Sequence, residues 1–407
     1  MNHVTHLFLL SKENISLAAE EVLSLVEKED WFLGYSLDEN VLVLKESSDS
    51  SVDVLTLSRR LAYTQSIYSL ITFIANDGVE YSNQKMLSAF RQYMLEKGKY
   101  SEDALDFGNY LKYKFESVEL LPHYKESFSF KKVKLSNDNA FPMSEKDFSS
   151  EIFRRLRMEK DIRDHFRSDH VKEKMSLKRI VKAISGKKDP RPVSHDDPIQ
   201  VNLDEPGTRF ELLVGKELSY LCKFEYDCDK GYNERNTQFL PARHPSSMKA
   251  RLSRGLVNLT GLTVGQTLLD PFCGIGTCLI EGGFMGLRIA GSDIDQEMLD
   301  RAKINLDYFG FRCKLKRCDA RDVEARCDAI VADLPYGKNT KDVPDLDKLA
   351  IDFLNHAYDL CDVVVVGFPD FCDSDSILRK TPWKIKYEFK YYLHKSLSKR
   401  ICKLVKK

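Results

Sequence analysis

The 407-residue sequence predicts an α/β protein whose C-terminal part is a doubly wound, mostly parallel sheet. From residue 247 onward, stretches of strand type and helix type alternate. The stretch 363–368 (VVVVGF) is apolar along its whole length, which is typical of a parallel strand covered by helices on both faces. The tail 384–407 instead alternates apolar and polar residues, and this pattern predicts an antiparallel edge hairpin.

Before residue 121 the sequence predicts a small βαβα unit followed by a polar helical connector. The stretch 15–29 carries Leu17, Val22 and Val26 at helical spacing on one face. The predicted elements are strands at 6–11 and 40–45, helices at 15–29 and 54–75, and the connector at 82–120.

Residues 121–228 differ in sequence pattern from the preceding part. They begin with a strand-like alternation of apolar and polar residues and contain loops rich in proline. Over 121–200 there are 19 Lys and Arg against 13 Asp and Glu. This excess fits an RNA-facing surface and a solvated helix face equally well. The predicted elements are a strand at 126–135, a helix at 149–166, a loop at 182–198 and three strands within 199–227.

The C-terminal elements follow one another with short connections, as expected for an α/β domain. The predicted strands lie at 266–272, 288–294, 313–318, 327–334 and 362–368, and the predicted helices begin at 277, 295 and 346. Ligands of such folds bind beyond the carboxyl ends of the strands.

Composition describes an ordinary globular protein, with 43% hydrophobic residues and 62 Lys and Arg balancing 62 Asp and Glu. A neutral total leaves a nucleic-acid partner open, because a local basic surface suffices for phosphate binding. No basic region precedes the first apolar run and no stretch approaches 18 apolar residues, so we predict a cytoplasmic protein without signal peptide or membrane span. The ten cysteines form no CxxC pair, which predicts buried thiols and no metal site.

Each of four successive predicted strands places an acidic residue at the edge of the sheet where ligands bind. These residues are Asp270, Asp293, Asp319 and Asp333. One such acid would fit a helix cap, but capping does not explain four of them at a common edge. After the first acid, Gly274 and Gly276 let the backbone approach a ligand at the start of a helix.

A dinucleotide-binding site is the first alternative for this arrangement. Its fingerprint requires a further glycine where this chain has Leu279, and Asp270 would repel a pyrophosphate. A cationic ligand suits the acids better. S-adenosylmethionine, which carries an ammonium and a sulfonium, fits.

The loop that follows the fourth acid (DLPYG, 333–337) predicts a clamp for a planar base. Asp333 and the backbone carbonyl of Leu334 or Pro335 would accept the two hydrogens of an exocyclic amine and direct its lone pair at a methyl carbon. Pro335 stiffens the loop. Tyr336 offers a face for stacking on the base, and Gly337 lets the chain leave without a clash.

The series LLDPFCGIGTCLIEG, GSDID, CDARD and ADLPYG resembles the motifs of class I methyltransferases that act on exocyclic amines. Within that class, the stretches at 6–25, 60–71, 242–262 and 391–400 are similar to the archaeal-type tRNA guanine-10 N2-dimethyltransferases. The resemblance implies a ferredoxin-like domain with connector at 1–120, an RNA-binding THUMP domain at 121–228 and a linker at 229–246. A Rossmann-like methyltransferase domain with a seven-stranded sheet follows at 247–407.

The resemblance also implies roles for individual residues. Those expected at the cofactor are Asp270, Phe272, Gly274, Gly276, Thr277, Asp293, Ile294, Asp319, Ala320 and Asp333. Those expected in catalysis are Asp333, Pro335 and Tyr336. Those expected at the RNA are Leu334, Tyr336, Gly337, Lys338, Arg243, Lys187 and Lys188. For Gly276 a purely structural role is an equal alternative, and for Arg243, His244 and Arg254 packing competes with phosphate contact.

The implied activity is transfer of methyl groups from S-adenosylmethionine to the N2 amine of tRNA guanosine 10. A guanosine at position 6 or 7, an adenine N6 amine, a protein glutamine and a THUMP protein that only binds RNA are the alternatives. The expected partner is tRNA, the catalytic chain is expected to be a monomer, and a small activating subunit is left open.

Overall fold

The structure is a computed structural model, and it describes residues 5–47, 52–75, 120–136, 144–167, 199–216, 218–228, 231–245, 247–335, 345–394 and 397–407. The chain divides into two compact units. Phe8–Ile67 and Tyr226–Lys407 form the first unit, and Tyr68–Glu225 makes up most of the second. The N-terminal stretch therefore shares a unit with the C-terminal part of the chain.

The N-terminal stretch folds as predicted at its start. α1 begins after Asn14, whose side chain accepts a hydrogen bond from the Leu17 amide at 3.0 Å and so caps the helix. The elements are β1 (Thr5–Leu10), α1 (Ile15–Val26), β2 (Phe32–Asp38), β3 (Val41–Glu46), α2 (Val54–Arg60) and β4 (Thr64–Ala75). The strands lie in the order β2-β3-β1-β4.

The predicted helix at 54–75 is wrong in its second half, because α2 ends at Arg60 and β4 begins at Thr64. The buried Glu21 carboxylate accepts hydrogen bonds from the amides of Ala62 and Tyr63 at 2.7 and 2.8 Å. A contact 41 residues away in sequence thus fixes the turn after the helix. The residues of β4 are rich in β-branched and aromatic side chains, which favour a strand.

The second unit contains the predicted strand-rich segment. The elements are β5 (Ser127–Lys134), α3 (Glu145–Arg167), β6 (Gln200–Val201), β7 (Thr208–Val214) and β8 (Leu218–Asp227). β5 pairs parallel with β7, and β7 pairs antiparallel with β8, over a core that includes Phe128, Phe148 and Phe210. The predicted loop at 182–198 and nearly all of the predicted connector at 82–120 lie outside the described residues.

The C-terminal part is the predicted doubly wound domain. Its elements are α4 (Ala250–Leu259), β9 (Thr267–Asp270), α5 (Thr277–Phe284), β10 (Arg288–Asp293), α6 (Gln296–Tyr308), β11 (Cys313–Arg317), β12 (Ala329–Asp333), α7 (Leu346–Leu360), β13 (Val363–Pro369), α8 (Ser374–Arg379), β14 (Trp383–His394) and β15 (Leu397–Lys406). The seven strands lie in the order β11-β10-β9-β12-β13-β15-β14. β9 to β13 are parallel, and β15 pairs antiparallel with β13 and β14. The mostly parallel sheet and its antiparallel hairpin are confirmed.

Helices cover both faces of this sheet, and neighbouring residues of one strand enter different cores. Leu268 of β9 packs in one hydrophobic cluster with Leu279 of α5, whereas Leu269 packs in another with Phe353 of α7. Strand order reverses between β9 and β12, so the ligand site is expected beside the ends of these two strands. Within the described ranges, no helix combines the length and the apolar character needed to cross a membrane.

Candidate active site

The four predicted acids line one cleft of about 1450 Å³ at the carboxyl edge of the seven-stranded sheet, here called the rim cleft. Asp270, Asp293 and Asp333 are the last residues of β9, β10 and β12. Asp319 follows β11 and caps a short 3₁₀ helix. A shared edge of parallel strands therefore brings together side chains that are up to 63 residues apart in sequence.

Asp270 lines the rim cleft and is buried, with 4% of its surface exposed. Its carboxylate accepts a hydrogen bond from the Phe272 amide at 3.1 Å. Burial holds the pKa of Asp270 well above its usual range, and the nearby charges of Asp333 and Asp293 raise it further. A cation bound beside Asp270 would favour its ionised form.

Asp293 ties the two loops of the rim cleft together. One of its oxygens accepts a hydrogen bond from the Gly274 amide at 2.9 Å, and the other accepts one from the Asp295 amide at 3.0 Å. Burial raises the pKa of Asp293, although these backbone hydrogen bonds oppose the shift.

The two glycines of the first loop serve different purposes. Gly274 has a φ of +50°, and a Cβ built there would meet no atom within 4 Å, so the cleft is open in that direction. Gly276 has a φ of +86°, precedes α5 and would place a Cβ 3.4 Å from Ala302. Gly276 is absent from the described residues that line the rim cleft, so a structural role in the turn suits it better than ligand contact.

Asp319 is held by a residue two positions further along the chain. The Arg321 guanidinium donates to both carboxylate oxygens at 2.9 and 2.7 Å, and the Arg321 amide donates at 2.9 Å. These hydrogen bonds hold the pKa of Asp319 below its usual range. Arg321 also lines the rim cleft, so the pair lies where a ligand would meet it.

Asp333 is held by a residue that sequence reasoning missed. The Lys399 ammonium donates to the two oxygens of Asp333 at 2.7 and 2.6 Å, and the Lys399 side chain is 4% exposed. Burial raises the pKa of Asp333, and the charge and hydrogen bonds of Lys399 oppose that shift. Lys399 lies within the hairpin stretch 391–400, but no local spacing links it to a residue at 333.

Most of the other predicted site residues are brought to the rim cleft. Phe272, Thr277, Ile294, Ala320, Leu334 and Pro335 line it together with the acids and Gly274. Arg243 is not among the lining residues; it is exposed and donates to the Leu240 carbonyl at 3.3 Å. Tyr336, Gly337, Lys338, Lys187 and Lys188 lie outside the described residues.

The segment before α4 separates into lining and packing residues. His244, Ser247 and Met248 line the rim cleft, although only His244 was considered as a ligand contact from sequence. Arg254 is 3% exposed and forms an ion pair with Glu281 at 2.8 Å, so it packs and does not meet phosphate. Within the described ranges, no group of three or more His, Cys, Asp or Glu residues could hold a metal ion.

The rim cleft fits S-adenosylmethionine. The buried Asp270 and the half-buried Asp293 line a cleft in which a ligand with an ammonium and a sulfonium would neutralise their carboxylates. The open side of Gly274 leaves room for such a ligand against the backbone. A pyrophosphate would add negative charge beside the same acids, which disfavours a dinucleotide on electrostatic grounds.

Comparison with known proteins agrees with this geometry. A family model described as UPF0020, RMKL-like methyltransferase domain, matches residues 238–399. The tRNA (guanine(10)-N2)-dimethyltransferase of Methanothermobacter thermautotrophicus is 31% identical over 217 residues, which are 51% of this chain and 64% of that protein. The protein of the same name from Pyrococcus abyssi is 31% identical over 230 residues, which are 55% of this chain and 68% of that protein. A probable tRNA (guanine(10)-N2)-dimethyltransferase from Methanothermococcus thermolithotrophicus is 37% identical over 163 residues, which are 37% of this chain and 95% of that protein.

The chain belongs to the tRNA (guanine(10)-N2)-dimethyltransferase family. The predicted family, the class I methyltransferase domain and its cofactor, S-adenosylmethionine, are confirmed. The match spans 64% and 68% of the first two relatives, about two thirds of their length.

Proposed function

We propose that this protein transfers methyl groups from S-adenosylmethionine to the exocyclic N2 amine of guanosine 10 in tRNA. The observation that carries the proposal is the position of Asp333, which ends β12 and lines the same cleft as the acids of the cofactor site. Membership in the family supports the choice of nucleotide.

The guanine N2 amine is a poor nucleophile because its lone pair is delocalised into the ring. Methyl transfer to it therefore requires assistance from the protein. When bound, S-adenosylmethionine supplies a methyl group activated by its positively charged sulfur. In the transfer, the amine nitrogen would form a bond to the methyl carbon as the carbon–sulfur bond breaks, the sulfur would keep the electron pair as a neutral thioether, and the nitrogen would then release one proton to water. A second round would convert N2-methylguanosine into N2,N2-dimethylguanosine.

Asp333 is the residue placed to assist this step. Its carboxylate accepts a hydrogen bond from the amine, which orients the nitrogen lone pair and stabilises the positive charge that develops on it. The carbonyl of Leu334 or Pro335 accepts the other amine hydrogen. The Leu334 amide donates to the Gly367 carbonyl at 3.2 Å, so the backbone after Asp333 is tied to β13 and holds its direction.

The predicted domain boundaries belong to the proposal. We assign 1–120 to a ferredoxin-like domain with its connector, 121–228 to a THUMP domain, 229–246 to a linker and 247–407 to the methyltransferase domain. The basic excess over 121–200 supports an RNA-binding role for the second of these. In this proposal the catalytic chain is a cytoplasmic monomer.

Nucleoside analysis tests the proposal directly. Unmodified tRNA is incubated with the protein and labelled S-adenosylmethionine, digested and examined by mass spectrometry. N2-methylated guanosine is expected, and replacing guanosine 10 by adenosine in an otherwise identical transcript should abolish it. Label that persists in that transcript would move the target to position 6 or 7, and methylated adenosine with unmodified guanosine would overturn the substrate assignment.

A further inference from the structure

The contact between Lys399 and Asp333 crosses a whole strand. Lys399 belongs to β15 and lies opposite Pro369 of β13, whereas Asp333 belongs to β12 and pairs with Gly367 of β13. The lysine side chain therefore extends over β13 to reach a carboxylate on the strand beyond it. Its ammonium lies 2.7 and 2.6 Å from the two oxygens of Asp333.

Gly367 supplies the space for this crossing. A Cβ built on Gly367 would lie 3.0 Å from an oxygen of Asp333 and 3.8 Å from Cδ of Lys399. A larger residue would crowd the Asp333 carboxylate and would touch the lysine stem. Gly367 thus leaves a gap over β13 in which the pair lies.

The titratable groups around Asp333 favour a cationic partner for its carboxylate. Asp270 on β9 adds a second carboxyl group whose pKa the charge of Asp333 raises. The Cys278 thiol on α5 feels the charges of Asp333, Asp270 and Lys399, and its pKa lies above the usual range mainly because of burial. Among the described residues, Lys399 on β15 is a neighbour that favours the ionised form of Asp333.

We infer that Lys399 is a positioning residue for methyl transfer: it keeps the Asp333 carboxylate ionised and fixes its orientation toward the substrate amine. A carboxylate has about four acceptor positions, so contact with one ammonium is compatible with accepting hydrogen bonds from a base as well. A protonated or rotated Asp333 would lose the acceptor geometry on which the amine depends. The inference rests on the proposed function for its kinetic part only.

The kinetic test compares pH profiles of kcat for the natural protein, Lys399→Met and Lys399→Arg. Without the ammonium, Asp333 takes up its proton at higher pH, so the acid limb of Lys399→Met should move upward by about one pH unit or more. Activity should recover as the pH rises, whereas Lys399→Arg should keep the acid limb in place. A loss of kcat that is equal at every pH, or no loss at all, would overturn the inference.

Lys403→Met is the matched control. Lys403 lies on the same strand, its side chain is also 4% exposed, and it donates to Ser24 at 2.8 Å outside the rim cleft. Its replacement removes a buried ammonium of the same kind and should leave the acid limb of kcat where it was. An equal shift in both variants would show that the effect is general and would refute a specific role for Lys399.

A second measurement, of thermal stability, tests the Lys399–Asp333 pair without requiring catalysis. At pH 8, Lys399→Met removes the ammonium beside the partly buried Asp333 carboxylate and should lower the Tm by about 5–10 °C. The deficit should shrink toward pH 5.5 as Asp333 becomes protonated, and Asp333→Asn in the same chain should restore most of it. If the natural protein methylates no tRNA, the proposed function fails, but the comparison of Tm values still tests the Lys399–Asp333 pair. A decrease in Tm that Asp333→Asn does not repair would overturn the inference itself.

Discussion

Two carboxylates of the rim cleft, Asp319 and Asp333, are each held by a cation, yet their pKa values move in opposite directions. Their side chains are equally exposed, at 20% and 21%. The partner of Asp319 is Arg321, which is two residues away and 44% exposed, whereas the partner of Asp333 is Lys399, which is 66 residues away and 4% exposed. The pKa of Asp319 lies below its usual value and that of Asp333 lies above it.

The difference shows that a cation does not by itself determine the ionisation of a carboxyl group. Asp319 receives two hydrogen bonds from the guanidinium and one from a backbone amide, and these outweigh the effect of its partial burial. Asp333 receives its hydrogen bonds from one ammonium, and the loss of water around the pair outweighs them. The Asp319–Arg321 pair is thus open to solvent on the arginine side, whereas the ammonium of the Asp333–Lys399 pair is enclosed.

The largest expected effect follows from removing the carboxylate that Lys399 contacts. Asp333→Ala should lower kcat by about 100- to 1000-fold, since the amine loses the acceptor that orients it. Affinity for S-adenosylmethionine, measured by calorimetry, should stay within about threefold. Asp322→Ala, which removes an exposed acid of the same edge, is the control and should leave both quantities unchanged. Equal loss of binding and catalysis would make the role of Asp333 structural.

The pH dependence of cofactor binding extends the comparison to Asp270. Its pKa is raised well above the usual range, so lowering the pH protonates it first and removes the negative charge that attracts a cation. Affinity for S-adenosylmethionine should therefore fall as the pH is lowered, by about tenfold per unit at most. Asp270→Asn should bind weakly at every pH with a flatter profile. A natural protein with constant affinity between pH 5.5 and 8.5 would contradict this expectation.

A smaller effect is expected from filling the gap over β13. Gly367→Ala places a methyl group 3.0 Å from the Asp333 carboxylate, which must shift by a few tenths of an ångström. We expect kcat to fall about tenfold, because a small displacement of an acceptor weakens its hydrogen bond. Cofactor affinity serves as the internal reference and should not change. An unchanged kcat would mean that the pair tolerates displacement.

The smallest effect is expected at the exposed pair. Arg321→Ala removes a partner that is 44% exposed, and such surface ion pairs contribute about 0–1 kcal/mol to the free energy of unfolding. The Tm should change by no more than about 2 °C. A decrease in Tm as large as that of Lys399→Met would contradict the conclusion that the two ion pairs differ in their contribution to stability.

Local patterns in the sequence predicted the C-terminal domain almost element by element. The strands β9, β10, β12 and β13 and the helices between them lie within a few residues of their predicted positions. Apolar runs and helix caps such as Asp295 and Asp345, which accept hydrogen bonds from the amides that follow them, are local signals. Prediction was wrong at 61–75, where Glu21 determines the end of α2 through a distant contact.

The residues of the candidate site also divide into those that local patterns predicted and those that such patterns missed. The four acids were predicted because parallel strands present their carboxyl ends at one edge, and this rule needs only the order of elements along the chain. Lys399 was missed because its contact depends on which strand lies beside β13 and on the residue at the crossing. Neither fact is contained in the spacing around residue 399.

The sequence by itself determined the elements of the methyltransferase domain and the acids at its rim, since hydrophobic period and strand-end position are properties of neighbouring residues. Only the tertiary structure decided how those acids are ionised. Burial and contacts across 66 residues set the state of Asp333, and these arise only when β15 inserts beside β13 and extends Lys399 over Gly367.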